Sequence, residues 1–89
     1  MDLDALLVRY FGTVDLSAVS EDMFAGGIER IRVDFGTERD RGRRFGLWAM
    51  MHMLGIAPDL EVAFKDPADR DAARSLMDLA DRAAFSDPR

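Results

Sequence analysis

Between Thr37 and Gly55 the chain reads TERDRGRRFGLWAMMHMLG, and no other stretch constrains the fold as much. Its first half carries Arg39, Arg41, Arg43 and Arg44. In its second half Phe45, Leu47, Trp48, Ala49, Met50, Met51, Met53 and Leu54 leave His52 as the one polar side chain after Arg44. A helix that is apolar all round must be covered all round, by its own chain or by another. The spacing therefore predicts a central helix over 38–54, started by Thr37 with Asp40 three residues on, and ended by Gly55 with Pro58 beyond.

Three more helices are expected around it. Leu3, Leu6, Leu7, Tyr10 and Phe11 fall at helical spacing over 2–11, with Asp2 and Asp4 at the end that favours anions and Gly12 as terminator. Ser20 reads as the N-cap of a second helix over 20–35, in which Phe24, Ile28, Ile31 and Phe35 form the inward stripe and Gly36 the stop. Residues 28–35 also alternate polar and apolar, as a strand would. The one other strand-like segment is 60–64, and a two-stranded ribbon alone is marginal, which favours the helix. Gly26-Gly27 is expected to be a kink or a short break, ahead of the alternative that it admits close approach by another backbone, because adjacent glycines point to different faces of a helix. Residues 56–65 form a linker with one helical turn near Asp59–Phe64. Asp66-Pro67 then starts a fourth helix to about Phe85, burying Ala72, Ala73, Leu76, Leu79, Ala80 and Ala83. The expected architecture is all-α: one helical domain over 1–89, a small four-helix orthogonal bundle. Its core should hold Leu6, Phe24, Ile31, Phe35, Trp48, Met51 and Leu76.

Composition limits the chemistry. The chain has one histidine, one tyrosine, one lysine and no cysteine. Disulfides and thiolate metal sites are absent, and a single histidine does not supply the usual zinc ligand sets. The segment 66–71 lacks the central glycine and closing glutamate of a calcium loop. There is no glycine-rich phosphate loop and no serine in a nucleophile-elbow motif. The expectation is a protein that is not an enzyme and carries no cofactor or metal. The longest uncharged run, Phe45 to Pro58, is 14 residues, against the ~20 that span a bilayer. No membrane segment is expected, and a cytoplasmic location is. Eleven arginines against one lysine suggest GC-rich coding and a bacterial source.

Three candidate sites follow. The apolar third helix offers Leu47, Met50 and Leu54 on one stripe as the interface of a homodimer or a docked protein partner, since three short neighbours are too few to cover it. Arg39, Arg41, Arg43 and Arg44 make a possible anion contact at a helix N-terminus. The competing expectation is a solvated face paired internally through Asp40–Arg44, Glu38–Arg41 and Arg30–Asp34. Nucleic acid is a less favoured partner: the net charge is −5, and the helix turns wholly apolar after two turns, where a recognition helix stays polar. Trp48, Met51 and His52 could line a small pocket, although a core histidine beside core apolar residues is the simpler expectation. The leading functional expectation is a helical interaction module, with a nucleic-acid-binding regulator as the alternative.

Overall fold

A computed structural model describes the backbone of residues 3–85, with side chains as far as Arg82. The described residues are all-α, without strands: α1 (Leu3–Phe11), a 3-10 turn (Leu16–Ala18), α2 (Glu21–Thr37), α3 (Arg41–Met53), the single turn α4 (Leu60–Ala63) and α5 (Pro67–Phe85). Residues 28–35 are helical throughout. The chain divides into two compact units, Met1–Ile56 and Ala57–Arg89.

In the first unit α1, α2 and α3 each pack against the other two. Gly12 and Gly55 end α1 and α3 with φ of 76° and 77°, the left-handed geometry that a side chain resists. Ser20 caps α2 by accepting from the Met23 amide at 3.2 Å. Leu6, Leu7, Tyr10 and Phe11 of α1, Ile31 and Phe35 of α2, and Leu47, Trp48, Met50 and Met51 of α3 are buried. Phe24 is half-buried, stacked on Phe11 with ring centroids 5.3 Å apart.

Two boundaries differ from expectation. Gly36 does not stop α2, which runs on to Thr37. The Thr37 hydroxyl donates back to the Val33 carbonyl at 3.1 Å, so it closes α2 and does not open α3. Asp40 is the N-cap of α3, its Oδ2 accepting from the Arg43 amide at 2.9 Å. Between them Glu38 Oε2 accepts from the amides of Arg39 and Asp40, so one carboxylate organises the connection.

Gly26-Gly27 is not a break either: α2 is continuous through it. Gly27 is buried, and a Cβ there would overlap Phe11 Cε1 and lie 2.9 Å from the Tyr10 carbonyl oxygen. Close approach of α1 to α2 is the reason for that glycine. Gly26 faces no such contact, its nearest neighbour being the Arg30 guanidinium at 3.7 Å.

The second unit pairs α4 with α5. Asp66 starts α5 by accepting from the Ala68 amide at 2.9 Å, and Pro67 occupies the first helical position. Arg70 Nη1 donates to the carbonyls of Phe64 and Lys65, tying the helix to the loop before it. Ala63, Phe64 and Ala73 are buried. The expected inward stripe of α5 is otherwise largely uncovered: Leu76 is half-buried, and Ala72, Leu79 and Ala80 are exposed. Ala83 lies outside the residues whose side chains are described.

Candidate functional site

The third helix uses its apolar surface within the chain. Leu47 and Trp48 are nearly inaccessible and Met50 is 0% exposed, while Leu54 is half-buried. The stripe Leu47, Met50 and Leu54 is thus not an open face, and a partner reaches Met50 only if the fold opens. The expected shortfall of covering helices does not arise. Met53, at 49% exposed, is the one large apolar residue of α3 left in solvent.

Trp48, Met51 and His52 do come together: Trp48 and Met51 are core, and His52 is half-buried beside them. The imidazole of His52 lies parallel to the indole of Trp48, centroids 5.3 Å apart and planes 9° from parallel, while Phe45 meets the indole at 6.1 Å from the other turn. Four residues apart on one helix, the two flat rings fill one strip of surface. With Trp48 1% exposed, the indole is packed within the fold and is not presented to a ligand.

The arginine cluster divides. Arg39, Arg41 and Arg43 are exposed, whereas Arg44 is half-buried with its guanidinium 4.1 Å over the Phe35 ring. That geometry is a cation–π contact pinning the start of α3 to the end of α2. Several backbone N–H groups around the start of α3 are already served: Asp40 takes the Arg43 amide and Glu38 those of Arg39 and Asp40. An incoming phosphate therefore meets two carboxylates as well as the arginines, which weakens the helix N-terminus as an anion site.

A polar concavity lies where α1, α2 and α3 meet. It is a cleft of about 180 Å³ lined by Leu6, Arg9, Tyr10, Asp34, Glu38 and Arg43, among others. The Tyr10 hydroxyl donates to Asp34 Oδ2 at 2.5 Å, and the Tyr10 carbonyl accepts from Arg30 at 2.5 Å. Arg30 and Asp34, expected to pair along α2, are each engaged with one α1 residue. Burial first, then the hydrogen bond to Asp34 and its negative charge, push the Tyr10 phenol up to about 12. A phenol held neutral and already donating is a structural strut, unsuited to act as a base near neutrality. A second groove, about 290 Å³, runs between the end of α1 and the start of α2, with Val8, Phe11, Met23 and Gly26 below Arg9, Arg30 and Asp22.

Among the described residues no cluster of three or more histidine, aspartate or glutamate side chains could hold a metal ion, and no helix is long and apolar enough to cross a membrane. Compared with known proteins, the chain matches no family model, no curated protein and no solved structure. The surface that sequence reasoning missed is on α5. Its apolar periodicity was visible, but periodicity does not say whether a neighbour covers it.

Proposed function

We infer that this chain is a small helical interaction module, without enzymatic activity, that associates with a second copy of itself. One observation carries the reading. Of the α5 side chains described, Ala73 alone is buried, and Leu79 stands 59% exposed on a stripe with Ala72, Leu76 and Ala80. A lone amphipathic helix of this length is marginal in water and gains most of its stability from covering its apolar face. Exposed Val62, at 73%, adds apolar surface in the same unit. A symmetric dimer covers such a face with an identical one and needs no second gene product.

The test is light scattering during size-exclusion chromatography, run from low to high micromolar concentration. Rising mass from 10 kDa towards twice that value supports the reading. A constant 10 kDa at the highest concentration overturns it. A second reading, nucleic-acid binding, draws on exposed Arg39, Arg41 and Arg43. It requires retention on DNA that falls steeply with salt, which association through α5 does not produce.

A further inference from the structure

The described side chains of α5 carry a pattern that fits one particular arrangement of two copies. Ala72, Leu76 and Leu79 step by four and three residues, so they share one face of the helix. Leu76 is half-buried, and Ala72 and Leu79 are exposed. Asp71 and Arg82 are eleven residues apart, close to three full turns, so they lie along one line beside that face and near opposite ends of it. Both are exposed. Asp71 also accepts from Arg74 at 3.2 Å within its own helix, in a pair open to solvent on both sides. Such a pair is weak, and the second carboxylate oxygen remains able to accept from another donor.

We propose that α5 pairs with α5 of a second copy, antiparallel, about a two-fold axis crossing between Met77 and Asp78. This rests on the self-association inferred above and assigns it a surface and a register. In that register Leu76 of each copy meets Leu79 of the other, so the two leucines form two adjacent apolar layers. Antiparallel helices bring the same flank of each copy together. Asp71 of one copy then comes within reach of Arg82 of the other, and the symmetry supplies that pair twice. Asp78, seven residues from Asp71, shares that flank, so the two Asp78 carboxylates approach each other at the axis, each with Arg82 four residues on in its own helix. The two Asp71–Arg82 pairs outnumber this one like-charge contact and favour a second copy as the occupant. The helix is about 28 Å long and about 10 Å wide, giving a contact well below the ~800 Å² per partner of a standard stable interface. The dimer is accordingly weak and reversible, forming at high protein concentration.

The chain has no cysteine, so orientation and register can be read by disulfide trapping. Leu76→Cys and Leu79→Cys chains, one carrying a mass tag, are mixed at high micromolar concentration and oxidised gently. Each chain retains the leucine the other has lost, so the mixed antiparallel dimer keeps one leucine layer and places its two thiols in the other. The proposal expects the mixed disulfide to exceed either homodimeric one several-fold, and Asp71→Arg introduced into both chains to cut its yield several-fold. Homodimeric disulfides in excess indicate a parallel pair and overturn the proposal. No trapped dimer from the cysteine variants, when the wild type scatters as a dimer, also overturns it, placing the interface elsewhere and leaving self-association standing. A wild type that scatters as a monomer overturns both. Circular dichroism of each variant, matched to wild type, establishes that the chains compared are folded.

Discussion

Tyr10 and Asp34 join α1 to α2 through a hydrogen bond of 2.5 Å, phenol to carboxylate, at a place where both helices also meet α3. This makes the protein sensitive to alkali in a defined window. The phenol is pushed up to about 12 from its ordinary 10.0, so between those values the folded chain keeps a proton that the unfolded chain has released. Stability is full below pH 10 and falls as pH rises towards 12. Tyr10 is the single tyrosine, so the tyrosinate ultraviolet band reports it alone. The expected midpoint is near 12 in the folded protein, and a midpoint at 10.0 in a chain that is still helical would contradict the buried bond. Tyr10→Phe should cost about 1 kcal/mol at neutral pH and flatten the alkaline loss.

The adjacent glycines of α2 should respond to alanine with opposite signs. At Gly26 an added methyl meets only a guanidinium at 3.7 Å, so Gly26→Ala should stabilise by about 0.5–1 kcal/mol through helix propensity. At Gly27 it strikes the Phe11 ring and the Tyr10 carbonyl oxygen at 2.9 Å, and backbone yields less readily than side chain. Gly27→Ala should cost at least about 1–3 kcal/mol. Urea titrations of the two variants settle it, and equal shifts would mean that the helices do not approach as described.

The core positions of α3 should not tolerate truncation or charge. Trp48→Ala should cost about 3–5 kcal/mol, a large share of the stability of a chain this small. Met50→Glu, which on an open dimer face would leave a folded monomer, should instead unfold the chain, because Met50 is 0% exposed. A folded, monomeric Met50→Glu protein with wild-type melting would return this residue to the surface.

Helix α3 should depend on Asp40 for its start. Asp40→Ala removes the acceptor of the Arg43 amide and should cost about 1 kcal/mol. Thr37→Ala removes a bond from hydroxyl to carbonyl at the end of α2 and should cost less. Thermal melts of the two variants rank them, and the reverse order would make Thr37 the cap after all.

The helix class, the glycine stops at Gly12 and Gly55, the Ser20 cap and the Asp66-Pro67 start were legible because each is written within a few residues. The start of α3 was not, since Thr37 and Asp40 both have capping chemistry. The choice between them depends on Glu38, which gathers the two intervening amides. Arg30 and Asp34 read as an ion pair along one helix because their true partner, Tyr10, is 20 and 24 residues away in sequence. The apolar periodicities of α3 and α5 were equally clear, yet one is buried and the other largely open. A hydrophobic stripe marks the face to be covered; its covering is a tertiary fact. For that reason the candidate interface on Leu47, Met50 and Leu54 fell on the helix with the least surface to offer.

The parallel stack of Trp48 on His52 has an optical consequence. The chain holds one tryptophan and one histidine, so its intrinsic fluorescence comes from a single indole lying against a single imidazole. That indole is 1% exposed, so the emission of the native protein reports one buried place in the fold and needs no label. A change in it when a second copy or any other molecule binds would report a rearrangement of α3.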